Sequence, residues 1–241
     1  ADTFLHGWRV TMSVSTWSVC TVTYGDYPQL ICKTLDSLHE QFNARIKDIR
    51  IGLNAVSDES FERVMSWCEQ FRLCPVYVYQ EVDNKNVGKY PLMRRMFYEH
   101  PSPLFDDDTY LDSDVTDKWW DEVEKASEGV TLLGLKHAIH CRGNQEQGIS
   151  EQLWYKGHEV KKRHRMKFMT GAWWLARSEF LNSWDYPFTE VYHNGGDSIL
   201  GELCRQQEAP MFDFKSGAQC HAKCCYKDKD RSGVVHVNVG G

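Results

Sequence analysis

Three carboxylates in a row, Asp106, Asp107 and Asp108, follow the short apolar run Leu104-Phe105. Adjacent like charges repel, so the run needs a cation or hydrogen-bond donors beside it. A compact set of hard oxygen ligands suits Mg2+ or Mn2+ holding a diphosphate, because these ions combine carboxylates with substrate oxygens. An acidic turn or cap is the plainer use of the same residues. Asp112, Asp114 and Asp117 come next, ahead of Trp119-Trp120-Asp121-Glu122-Val123. They read as the capped, dipole-matched start of a helix. Cations stand upstream in the polar stretch 84–97, where Lys89, Arg94 and Arg95 would meet a diphosphate or form a basic helix face. Downstream, Asn194-Gly195-Gly196-Asp197 introduces an apolar-periodic segment. A carboxylate at a helix start is held in a fixed position, and it also serves as a simple N-cap. Cys220-His221-Ala222-Lys223-Cys224-Cys225 offers half of a zinc site without a standard paired spacing.

The elements that must position these groups alternate. Trp17 to Thr23 is β-branched and apolar, and the turn-rich Tyr24-Gly25-Asp26-Tyr27-Pro28 ends it. Leu30, Leu35 and Leu38 then recur at helical spacing. Ile49 to Asn54 predicts a second strand, Ser57-Asp58-Glu59-Ser60 a helix cap before Phe61–Phe71, and Val76 to Tyr79 a third strand. Strand-helix alternation implies right-handed crossovers and a mostly parallel sheet, with ligands beyond the carboxyl ends of the strands.

Composition narrows the classes. A chain of 241 residues without repeat or linker reads as one domain, and 41% hydrophobic content supports a real core. The net charge of −6 argues against a dedicated non-specific nucleic-acid binder. One basic stretch, 156–167, runs against that average. Without an apolar run of membrane length or a leader-like start, a cytoplasmic protein with no membrane partner is expected. Cys20, Cys32, Cys68 and Cys74 stand singly among apolar neighbours, as reduced thiols do.

In order, these pieces resemble glycosyltransferase family 2, and among its members the small ones of phages and their hosts. The resemblance rests on Thr23-x-x-Asp26 ending the first strand, Asp58 after the second, Asn86-Val87-Gly88-Lys89 with Arg94 downstream, and Asp106-x-Asp108. It covers roughly residues 17 to 207. It implies a single-domain, Rossmann-like α/β chain of the A-type glycosyltransferase fold with a mostly parallel central sheet. A donor-binding half would span about 10–115 and an acceptor and catalytic half about 116–241. The resemblance places Thr23, Tyr24 and Asp26 at the donor base and Asp58 at base or ribose. Lys89 and Arg94 belong with the nucleotide, beside Asp106 and Asp107. Asp108, with Asp106 and either His221 or His236, would hold Mn2+ or Mg2+. Gly171 lies on an acceptor-side strand, with Trp173 or Trp174 as a stacking wall, and Asp197 is the catalytic acid-base residue. Pro101 and Pro103 leave only a short strand before the acids, where the family usually has a longer one.

The activity implied is metal-dependent, inverting transfer of a sugar, from a UDP-sugar, to a hydroxyl. For the phage-type members that hydroxyl belongs to a 5-hydroxymethylpyrimidine in DNA, for which Trp154, Trp173 and Trp174 would stack a flipped base. A polysaccharide or protein acceptor, a nucleotidyltransferase, and a non-catalytic α/β binding module remain open alternatives on the same residues.

Overall fold

The computed structural model describes residues 17–99, 104–105, 109–111, 117–140, 148–156, 165–191, 195–214, 218–221 and 236–237. Its first strand, β1 (Trp17–Gly25), turns into helix α1 (Pro28–Glu40) at Pro28, whose fixed φ and missing N–H suit a first helical position. Leu30, Ile31, Thr34, Leu35 and Leu38 give α1 one buried stripe. Strand β2 (Ile46–Val56) leads through Ser57 into α2 (Asp58–Gln70), and the Ser57 hydroxyl accepts the Ser60 N–H as a true N-cap. Next come β3 (Val76–Gln80), a single 3-10 turn (Val82–Asn84) and α3 (Lys89–Glu99). Strand β4 is described at Leu104–Phe105. The rest comprises β5 (Thr109–Leu111), α4 (Asp117–Ser127), β6 (Leu132–His140), β7 (Arg165–Ala176), α5 (Ser178–Ser183), α6 (Gly196–Gln206), β8 (Met211–Asp213), β9 (Ala218–His221) and β10 (His236–Val237).

Seven strands form one sheet in the order β3-β2-β1-β4-β7-β6-β8. β1, β2, β3 and β4 are parallel neighbours, β7 is antiparallel to both β4 and β6, and β8 runs parallel to β6. The sheet is therefore mostly parallel, with β7 alone reversed. β10, β9 and β5 make a second, three-stranded sheet.

Alternation along each strand feeds two hydrophobic layers. Trp17, Val19, Ile49, Ile51 and Leu53 pack with α1, α2 and Trp120 of α4 on one face. Cys20 and Val22 pack with Leu92, Met93 and Met96 of α3 and Ile199, Leu200 and Leu203 of α6 on the other. Between them, Arg50 is 0% exposed. Its Nε pairs with the Asp48 carboxylate at 2.9 Å, and its terminal nitrogens donate to the Ser18 hydroxyl at 2.8 Å and the Met96 carbonyl at 2.9 Å. One buried cation thus ties two strands to the last turn of α3, where a positive charge also complements the helix dipole.

Candidate active site

The carboxyl ends of β1 and β2, together with the first turns of α3 and α6, assemble one polar edge. The backbone turns sharply there. Ala55, Asp83 and Asn84 have φ of 51°, 63° and 49°, conformations that cost a non-glycine residue about 1–3 kcal/mol and persist only where the surroundings impose them. Three asparagines supply that imposition. Asn84 donates to the Val56 carbonyl at 2.6 Å and accepts the Val56 N–H at 3.0 Å. Asn54 accepts the Val87 N–H at 2.9 Å and donates to the side-chain Oδ1 of Asn86 at 3.1 Å, while the same Asn86 oxygen also accepts the Gly88 N–H at 3.0 Å. The loop that leads into Lys89 is therefore laced to the end of β2 by amide side chains.

Asp26 is exposed just past β1 and accepts the Ser57 hydroxyl at 2.6 Å, which brings it to the start of α2 beside exposed Asp58. Tyr24, half-buried, is edge-on to Tyr27 with ring centroids 5.7 Å apart. Thr23 is buried within β1, and its hydroxyl has no hydrogen-bond partner among the described residues. Lys89 lies 5.7 Å from the centre of the Tyr90 ring. These expected donor-side residues share one edge.

Asp197 lies in the first turn of α6, after Gly195 in the left-handed conformation at φ 90°. Its Oδ1 accepts the Tyr90 hydroxyl at 3.0 Å, and its own N–H donates to the Tyr90 oxygen at 3.2 Å. The first turn of α3 and the first turn of α6 therefore meet through one residue pair. Tyr90 carried no role in the sequence reading. Its partner is 107 positions away, and no local pattern links them.

Other expectations are corrected. Arg94, expected beside the nucleotide, is committed to partners within the chain. Its guanidinium clasps both Asp185 carboxylate oxygens at 2.9 and 3.1 Å and donates to the Asp185 and Pro187 carbonyls. Five residues beyond Lys89 it is about 7.5 Å further down the helix, away from the strand ends. Trp173 and Trp174 are 2% and 1% exposed, so neither forms an acceptor wall. As neighbours on an interior strand they point to opposite faces of the sheet. Trp173 packs edge-on to Phe214, and Trp174 against Phe97 and Tyr186. Trp154 is likewise buried, against Phe188.

Asp106, Asp107 and Asp108 lie outside the described residues, as does most of the basic stretch 156–167. The backbone on either side of the acids is described. β4 ends at Phe105 next to β1 in the sheet, and β5 begins at Thr109. Thr109 is the register partner of Cys220, the residue before His221, and His221 is the register partner of His236. Both candidate histidines thus belong to the small sheet that β5 enters. Gly171 lies within β7, whose end at Trp173 and Trp174 pairs with β4. Among the described side chains, no three His, Cys, Asp or Glu residues converge as a metal-binding group. Any part of Asp106 and Asp108 in holding an ion rests on their carboxylate donor chemistry alone.

On the outer side of α3 a groove of about 490 Å³ runs along Val87, Pro91, Tyr98 and Thr189. Its charged lining is paired within the chain. Arg95 binds Glu81 at 2.6 Å, and Arg94, held by Asp185, lies 4.2 Å from the centre of the Tyr98 ring.

Parallel strands in the order 3-2-1-4, the reversed β7 inserted before β6, and acids directly after β4 make this a chain of the A-type glycosyltransferase fold. Mannosyltransferase PcManGT from Pyrobaculum calidifontis, in complex with GDP-Man and Mn2+, is similar over 82% of this chain and 54% of its own, with TM-score 0.57 and 15% identity. TarS from S. aureus is similar over 78% of this chain and 54% of the compared portion, with TM-score 0.50 and 15% identity. The chain thus spans about half the length of either structure. No family model and no curated protein matches it in sequence.

Proposed function

We propose that this chain is a metal-dependent glycosyltransferase that moves a sugar from a nucleotide-sugar donor to an acceptor hydroxyl with inversion, with Asp197 as general base. The observation that carries this reading is the contact between Tyr90 and Asp197, which sets a helix-start carboxylate against the loop on the donor side of the sheet. The fold, shared with a mannosyltransferase in complex with GDP-Man and Mn2+, supports a nucleotide diphosphate as leaving group. Asp108 and Asp106, with His221 or His236, would hold Mn2+ or Mg2+, and such an ion neutralises charge on a leaving diphosphate. Asp26, Asp58 and Lys89 line the donor side, with Tyr24 beside the base. In the reaction, Asp197 takes the proton of the acceptor hydroxyl as its oxygen attacks the anomeric carbon. The bond from that carbon to the diphosphate oxygen breaks, and the nucleoside diphosphate leaves with the electron pair.

For the acceptor, a 5-hydroxymethylpyrimidine in DNA is the first candidate, with stretch 156–167 as its phosphate contact. A polysaccharide or protein hydroxyl is the alternative acceptor.

The test is release of UDP or GDP from UDP-glucose, UDP-GlcNAc and GDP-mannose with Mn2+, with and without hydroxymethylated DNA or an oligosaccharide. A general base contributes about 10²–10⁴-fold, so Asp197→Asn should lower kcat at least a hundredfold. Full activity in that variant removes Asp197 from the chemistry. No release from any of the three donors removes the transferase reading.

A further inference from the structure

Resting on the base role proposed for Asp197, we infer that Tyr90 is the positioning residue for that carboxylate, and that it locks the base to the loop facing the donor. Four features of the structure combine in this assignment. The contact is reciprocal: the Tyr90 hydroxyl donates to Oδ1 of Asp197 and accepts the N–H of the same residue. A group held by both its backbone and its side chain has its rotamer fixed, whereas a single hydrogen bond leaves it free to swing. Second, Oδ2 of Asp197 has no hydrogen-bond partner among the described residues, and the residue is half-buried. One oxygen is thus engaged while the other is left to take a proton.

The third feature is close approach. A Cβ on Gly196 would lie 2.2 Å from Cζ of Tyr90 and 2.7 Å from its hydroxyl oxygen. Any side chain at 196 would push the ring away, so the glycine before Asp197 is the residue that lets this hydroxyl reach its partner. The fourth is rigidity. Tyr90 is 2% exposed and belongs to the core with Leu92, Met93 and Ile199. Its helix starts one residue earlier, directly after the loop that Asn54 and Asn86 pin to β2. A simple N-cap needs none of this, since Asp197 would then bond the amides of its own helix rather than a phenol from another one.

The experiment is a double-mutant cycle on nucleoside diphosphate release from UDP-glucose, UDP-GlcNAc and GDP-mannose with Mn2+, using the full chain. Tyr90→Phe keeps the ring in the core and removes only the oxygen. It should lower kcat about tenfold or more while KM for the nucleotide sugar stays within about twofold, because the hydroxyl serves the base and not the donor. In the Asp197→Asn background the same change should add nothing, since a residue acting through another loses its effect when that other is gone. Gly196→Ala, which keeps the hydroxyl but displaces the ring, should reproduce the loss in kcat and serves if the phenylalanine variant fails to fold. An unchanged kcat in Tyr90→Phe overturns the inference, as does a rise in KM alone or a loss that adds to that of Asp197→Asn. Retained activity in Asp197→Asn is a different failure, that of the base role itself. A wild-type chain that releases nothing from the three donors overturns both.

Discussion

Asp197 and the buried thiols make opposite demands on their surroundings. The carboxylate sits where a helix start favours negative charge, and only half of it is taken up by Tyr90. Asp197→Asn keeps size and hydrogen bonding but cannot accept a proton, so the fold should survive while kcat falls at least a hundredfold. Comparing the melting curves of variant and wild type separates the two effects. The cysteines are the reverse case. Burial pushes the Cys20 and Cys204 thiols up to about 12 and the Cys74 thiol to about 11. At pH 8 all three are protonated, and a thiol is a poor nucleophile compared with its thiolate. Iodoacetamide at pH 8 should therefore leave Cys20 and Cys204 unmodified in the native chain and modify both in denaturant, as peptide mass spectrometry would read. Rapid labelling of Cys20 in the native state would contradict its burial.

Between elements, glycines set how closely helices approach the sheet. Gly52 on β2 faces α3, where an added Cβ would come within 2.9 Å of Leu92 Cδ2 and Met96 Sδ. Those are the far ends of flexible side chains and can move. Gly201 on α6 faces β7, where the same Cβ would come within 2.3 Å of the Lys167 carbonyl oxygen. Backbone cannot step aside without shifting the strand. Gly201→Ala should therefore cost about 1–3 kcal/mol by overpacking and Gly52→Ala distinctly less, in urea titrations of the two variants. Equal costs would mean that α6 is not seated on β7 as described. The order matters for function, because α6 carries Asp197 and its seat on β7 determines where that carboxylate lies.

For the whole molecule, the proposed donor site predicts coupling between ligand and stability. A ligand that binds only the folded chain at 100 times its Kd adds about 2.7 kcal/mol. Thermal melting with UDP or GDP plus Mn2+ should shift upward, and Asp108→Ala should abolish the shift while leaving the apo melting temperature nearly unchanged. A panel of nucleotides that produces no shift favours a binding module without a sugar nucleotide. Among the described residues no helix is long and apolar enough to cross a membrane.

Much of this architecture is local, and local physics is legible in a sequence. Trp17 to Thr23 is β-branched and apolar and becomes the buried part of β1, which runs two residues further to Gly25, and Ser57 caps α2 through its own neighbour Ser60. Asp197 lies in the first turn of the helix that Gly195-Gly196 suggests. Arg94, Trp173 and Trp174 went the other way, because residue type states what a side chain is able to do and not where it points. A stacking aromatic and a core aromatic share one composition, and only β7's place inside the sheet buried both tryptophans. Arg94 suits a phosphate as well as a carboxylate, and Asp185, 91 positions away, claimed it. Strand order, the pairing of Tyr90 with Asp197 and the closeness of Gly196 to that ring exist only once the chain is folded. Contacts between distant segments depend on which elements become neighbours, and that is settled by the packing of all of them at once.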